Sequence, residues 1–198
     1  MDGVASLFTA FGLSTSAGLN AYLPLLIVAL TARFTDLIKL EPPWDTLTSW
    51  WVIGLLAVLL VIEMTADKIP LVDHANDVIQ TAVRPAAGAI LFAASGHVIS
   101  DVHPVLAMAL GVLLAGGVHA TKATVRPVVT ATTGGLGNPV VSTLEDVAAF
   151  VVSVLAILVP VLTFLLLVIF AWWVWRWWRR RQQVTLPGNP ASGLGSDT

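Results

Sequence analysis

The chain has no cysteine. Disulfides, thiolate metal sites and cysteine nucleophiles are therefore excluded together, and the redox compartment stays open. Charge is scarce as well. Asp, Glu, Lys and Arg make up 11% of the 198 residues, against roughly 25% in an ordinary soluble domain. The net charge is only −2, and no basic stripe exists for a nucleic-acid partner. No HExxH, GxSxG or P-loop pattern occurs, which removes the best-defined catalytic signatures. The N-terminus lacks a basic n-region: MDGVASLFTAF carries Asp2 and reads as mature sequence, not as a cleaved signal peptide.

What remains is oily. Hydrophobic residues are 57% of the chain and the mean hydropathy is +0.86. That balance predicts an all-α integral membrane protein, one compact membrane domain with no sizeable second domain. Five apolar segments are expected to cross: 4–33, 50–66, 85–99, 104–120 and 140–175.

The first is interrupted by Gly12, Gly18 and Pro24, with Ser14, Thr15, Ser16 and Asn20 between them. Two readings fit. A broken helix is tolerated where freed backbone groups face protein or water, and small residues also serve tight helix packing. Tyr22 lies in this segment and reads as a packing residue. The loop 34–50 holds Asp36, Lys39, Glu41, Asp45 and the pair Pro42-Pro43, flanked by Trp44, Trp50 and Trp51. Tryptophan sits at headgroup level, so the loop marks an interface.

Charge concentrates in one stretch, EMTADKIPLVDHANDVIQTAVR, from Glu63 to Arg84. It carries Glu63, Asp67, Lys68, Asp73, His74, Asp77 and Arg84 between two apolar segments. Charges near membrane depth are costly unless paired or wetted, so such a cluster is a functional candidate by default. Glu63 and Asp67 are four apart and share a helix face, as do Asp73 and Asp77. Pro70 separates the pairs. The piece 71–82 is too short and polar to span, so it is expected as an interfacial helix, a re-entrant half-helix or a loop. Pro85 is expected to restart a helix, where proline fits the first turn.

The connection 97–104 contains His97, Asp101 and His103, with the histidines read as loop residues. After the 104–120 span comes a second polar break with His119, Lys122, Arg126, Pro127 and TATTGGLGNP, which ends at Asn138-Pro139. Glu145 and Asp146 open the last apolar segment, and acids suit a helix N-terminus. WWVWRWWRRR closes it as an aromatic belt with a basic stop. The tail 182–198 is rich in Pro, Gly and Ser and is expected to be disordered.

A shift of 54 residues aligns Leu56, Val58, Leu59, Leu60, Ala66, Lys68 and Pro85 with Leu110, Val112, Leu113, Leu114, Ala120, Lys122 and Pro139. Each unit reads as apolar span, lysine, polar break, proline, apolar span. The expected layout is a transmembrane domain over 1–178, with repeat units of about 50–100 and 104–160, followed by a basic, disordered tail over 179–198. Repeats of this kind are frequent in transporters, whose sites lie at the repeat interface. Lys/Arg bias places Arg176, Arg179, Arg180 and Arg181 in the cytoplasm, with Arg33 and Lys39 on the same side. Lys68, Arg84, Lys122 and Arg126 then fall toward the outer face.

Three uses of the charges compete. They can form an ion-pair network, since buried charges must be paired. They can line a solute pathway for ions, anionic metabolites or lipid phosphates, with His74 or His119 moving protons. Glu63, Asp67, Asp73, His74 and Asp77 can also hold a hard cation such as Mg²⁺ in an enzyme, the weakest of the three signals. No cofactor is expected. The partners expected are the lipid bilayer, anionic lipid included, and further copies of the chain.

Two stretches together, GLNAYLPLL (18–26) and ADKIPLVDHANDVIQTAVRPAAGA (66–89), carry a specific pattern, DKIP-x2-D-x3-D-x6-RP-x2-GA. With it, the chain resembles a bacterial family of small integral-membrane proteins of unknown function. The likeness covers about 12–160, and WWVWRWWRRR lies outside it. The resemblance implies a bacterial inner-membrane protein of four to six helices. It implies no substrate or reaction, so it assigns no catalytic residue. The function expected is a small transporter or channel with a site lined by Glu63, Asp67, Lys68, Asp73, His74, Asp77, Arg84, His119, Lys122, Arg126, Asn138, Glu145 and Asp146. The alternative is a non-transporting scaffold or lipid-binding subunit of a larger complex.

Overall fold

In the computed structural model the described residues are 3–67, 70–95 and 103–182, and over 70–77 the side chain of Asn76 alone is described. Among them the chain is helical, with no strand. Seven α-helices follow in order: α1 Gly3–Ala17, α2 Tyr22–Phe34, α3 Trp50–Ala66, α4 Pro70–Ala94, α5 Pro104–Thr133, α6 Asn138–Leu158 and α7 Pro160–Gln182. A short 3-10 turn, Trp44–Thr48, precedes α3. Three helices are long and apolar enough to cross a membrane, in the spans Pro104–Thr133, Asn138–Leu158 and Pro160–Arg180. The protein is an all-α membrane protein.

The first apolar segment is two helices. α1 has 15 residues and α2 has 13. At 1.5 Å per residue these are about 22 and 20 Å long, short of a hydrocarbon core of about 30 Å. The break falls at 18–21, as the interrupted composition predicts. Small-residue packing is present too, so both readings hold.

The chain folds into two compact units, Met1–Phe164 and Leu165–Thr198. In the first, α1 is wrapped by its neighbours. Ser6, Thr9, Ala10, Gly12, Leu13, Ser14, Ser16 and Ala17 are all buried. Its hydroxyls tie it to three partners. Ser14 Oγ donates to the Gly88 carbonyl at 2.9 Å, Ser16 Oγ to the Ala149 carbonyl at 2.8 Å, and Thr9 Oγ1 to the Ala156 carbonyl at 2.9 Å. Close approach comes from missing side chains. A Cβ at Gly18 would lie 2.5 Å from the Ala115 oxygen, and one at Gly88 would lie 2.5 Å from Ala115 Cβ. A Cβ at Gly111 would overlap the Gly88 carbonyl. The pairs Ser14–Gly88 and Gly18–Arg84 run α1 antiparallel to α4. α4 and α5 form an antiparallel hairpin with their backbones in contact at Gly88 and Gly111.

Three expectations about boundaries are corrected. The stretch 71–82 is not a separate element but the first half of the 25-residue α4, and Pro85 lies inside that helix instead of starting one. Proline removes one backbone donor there, a loss that membrane helices tolerate when neighbours resatisfy the freed group. The polar run after residue 119 is likewise not a break. α5 continues through Lys122, Arg126 and Pro127 to Thr133. Its buried positions, Ala107, Gly111, Ala115, His119, Lys122 and Arg126, recur every three or four residues. The charges thus occupy the inward face of one amphipathic helix. The turn comes at Gly134 and Gly135, with φ of 62° and 88°, a left-handed conformation that glycine adopts without a Cβ clash. Lastly, the segment 140–175 is divided at Val159, where Pro160 begins α7.

The residues matched by the 54-residue shift occupy unlike places. Lys122 is inside α5, Pro85 inside α4, and Pro139 in the first turn of α6. Lys68 lies outside the described residues, as do His97, Asp101 and the tail from 183. His103 caps α5, its ring accepting from the Val105 amide.

The second unit is described by itself. Its helical residues, from Leu165 onward, expose Leu166, Ile169, Phe170, Trp172, Trp173, Trp175, Trp177 and Trp178. Arg176 lies 5.2 Å from the Trp172 ring centre and Arg179 4.2 Å from that of Trp175. Guanidinium groups stacked on indoles suit the headgroup level of a bilayer.

Candidate functional site

The α1–α2 break, the end of α3, the middle of α4, the later half of α5 and the first half of α6 contribute to one buried charge network. Four-residue spacing builds it. Gln80 and Arg84 share one face of α4, and Lys122 and Arg126 share one face of α5.

Asp67, which caps α3, is its hub. Its Oδ2 lies 3.2 Å from Arg126 Nη2, 3.5 Å from Lys122 Nζ and 3.7 Å from Arg84 Nη2. Its Oδ1 accepts from Asn76 Nδ2 at 2.7 Å. Glu63 Oε1 takes Arg84 Nη2 at 3.0 Å and the Ala21 amide at 3.5 Å. Glu145 Oε2 forms ion pairs, lying 2.6 Å from Lys122 Nζ and 3.5 Å from Arg126 Nη2. Three cations and three carboxylates therefore meet. The side chains of Glu63, Asp67 and Arg84 are 1%, 3% and 0% exposed, whereas Glu145 is 15% exposed.

The helix break feeds carbonyls into the network. Arg84 Nη1 donates to the Gly18 carbonyl at 3.4 Å, and Lys122 Nζ to that of Leu19 at 3.4 Å. These groups lie at the end of α1, where carbonyls have no helical donor. Cations are the natural partners of such an end.

Arg84 Nη1 also lies 3.2 Å from His119 Nδ1. A guanidinium has no acceptor, so Nδ1 must accept. His119 is thereby assigned as the neutral tautomer with its proton on Nε2, and that nitrogen faces Thr81 Oγ1 at 3.2 Å.

Of the predicted residues, Glu63, Asp67, Arg84, His119, Lys122, Arg126 and Glu145 come together. Asp146 is adjacent but serves α1: it accepts from Asn20 Nδ2 at 2.9 Å, while Asn20 Oδ1 accepts from the Leu23 amide. Asn138 is buried and accepts from Thr130 Oγ1 at 3.1 Å. Lys68 and the side chains of Asp73, His74 and Asp77 lie outside the described residues. Among the described residues no group of three or more His, Cys, Asp or Glu side chains is placed to hold a metal. The acids are spread among cations instead.

Asn20, Asn76, Gln80 and Thr81 were not expected at the site. Asn20 had a signal, as an amide at the break of a buried segment. Gln80 had one too, lying one helical turn before Arg84. Tyr22 packs against the core as expected.

The family described as Domain of unknown function (DUF4126) matches residues 7–180. The chain belongs to that family. No curated protein and no solved structure matches it.

Proposed function

We propose that this DUF4126 member is a small transporter or channel of the bacterial inner membrane. It passes a small ion, an anionic solute or a lipid headgroup, with its C-terminus and Arg176, Arg179, Arg180 and Arg181 in the cytoplasm. The observation that carries this reading is the convergence of Arg84, Lys122 and Arg126 on Asp67, beside the α1–α2 break, inside a membrane protein. Taking six charges out of water costs several kcal/mol per ion before pairing restores it. Well-packed apolar residues would hold the helices at less cost, which favours a use for the charges beyond cohesion. The break supplies backbone carbonyls at the same level, an arrangement suited to handling ions at membrane depth.

Reconstitution into proteoliposomes tests the reading. Flux of sodium, potassium, chloride or phosphate is expected in the wild type, and Asp67→Asn should remove it while the protein stays folded. A folded wild type that moves none of these, and does not move phosphatidic acid between leaflets, would overturn the reading and leave the scaffold or lipid-binding alternative.

A further inference from the structure

We propose that Lys122 and Arg126 form a subsite for a tetrahedral oxyanion of the phosphate type, and that Glu145 occupies it as a displaceable resident carboxylate. The proposal rests on the transport reading of this network and names its ligand class.

Charge balance comes first. Among the described residues Arg84, Lys122 and Arg126 are matched by Glu63, Asp67 and Glu145, with the buried Asp146 beside them. The described part of the cluster has no excess cation, so an anion entering it must take the place of a carboxylate, because unpaired charge is not tolerated there. The three carboxylates are not equally held. Glu63 is fastened by Arg84 and the Ala21 amide, and Asp67 by Asn76 and three cations. Glu145 pairs with two α5 cations and is the most exposed of the three at 15%. It is therefore the carboxylate that can leave.

What it would uncover fits an oxyanion. Lys122 offers an ammonium and Arg126 a planar guanidinium, one helical turn apart and both within ion-pair distance of one oxygen. A point charge and a fork together suit phosphate oxygens. A third donor stands ready. Ser142 Oγ is fully buried and has no hydrogen-bond partner among the described residues. Thr130 of α5 meets Asn138 of α6, and Lys122 meets Glu145. Ser142 thus falls at the level of Arg126, on the α6 face that carries Asn138. An orphaned buried hydroxyl costs free energy unless something bonds it, and an oxyanion would accept from it.

The full chain in detergent tests this. Orthophosphate binding is followed by equilibrium dialysis, with chloride at equal ionic strength as control. Phosphatidic acid retention is followed by native mass spectrometry against phosphatidylcholine. Wild-type binding should be weak, because Glu145 competes. Glu145→Gln should bind at least tenfold tighter, and adding Arg126→Gln should reverse the gain. A gain for orthophosphate assigns a free oxyanion, and a gain for phosphatidic acid alone assigns a lipid headgroup. A folded Glu145→Gln protein that gains neither overturns the proposal. If that variant does not fold, the wild type decides. Its melting temperature must rise with orthophosphate or phosphatidic acid, and Lys122→Met must abolish the rise; no rise overturns the proposal. Binding without flux would overturn the transport reading alone, whereas flux without binding would overturn this subsite alone.

Discussion

α1 and α7 invert the usual rule for inside and outside. α1 buries a face of small and hydroxyl residues, with Leu13 the one large side chain on it. α7 is a run of Leu, Val, Ile, Phe and Trp, and only 6% of its apolar window is buried inside the protein. In water this would be backwards. In a bilayer the tails are as apolar as leucine, so oiliness no longer decides what is buried. Close backbone approach and hydrogen bonding do. α1 uses Gly12 and Gly18 for approach and Thr9, Ser14 and Ser16 for bonds. α7 stacks Phe164, near its start, on Phe8 of α1, exposes apolar side chains from Leu165 on, and ends in indoles and guanidiniums.

Five substitutions sharpen this contrast, and thermal melting in one detergent checks them all. Gly111→Val should have the largest effect. Its Cβ would run into the Gly88 backbone, which cannot move aside as a flexible side chain can. Loss of the folded species is expected, and a normal melt would refute backbone contact between α4 and α5. Arg84→Met should come next, at about 3–5 kcal/mol, because it strands Glu63 in a buried site. Arg84→Lys should recover part of that loss, since a lysine restores the charge but not the fork. Ser16→Ala should cost about 1 kcal/mol, the value of a buried neutral hydrogen bond. Leu166→Ala on α7 should stay within about 0.5 kcal/mol, as for surface positions without special contacts. If Leu166→Ala costs more than Ser16→Ala, α7 is packed against protein and the contrast with α1 fails.

Much of the site was legible in the chain. Charges standing among apolar segments announce themselves, because each must be paired or wetted to be kept. Glu63 and Asp67 on α3 and Lys122 and Arg126 on α5 follow from four-residue spacing alone. The break at 18–21 was legible from Gly18 and Asn20. The course of α4 and α5 was not. Polarity over 71–82 and 119–133 resembles a loop, yet in α5 it marks an inward stripe of a continuous helix. The period of three and four from Ala107 to Arg126 would have disclosed it. Tertiary packing overrode Pro85 and Pro127, which local rules read as boundaries.

The sequence by itself determined the solvent this protein lives in, the scarcity of its charges and the family it resembles. These depend on composition and local spacing, which need no partner. Only the tertiary structure decided that Asp67 is the hub, that Glu145 pairs with Lys122 and Arg126, and that His119 lies between Arg84 and Thr81. Each depends on which cation stands within about 4 Å of which oxygen, where Coulomb energies are largest. Residues 55 positions apart, such as Asp67 and Lys122, are brought that close only when glycines let the helices touch.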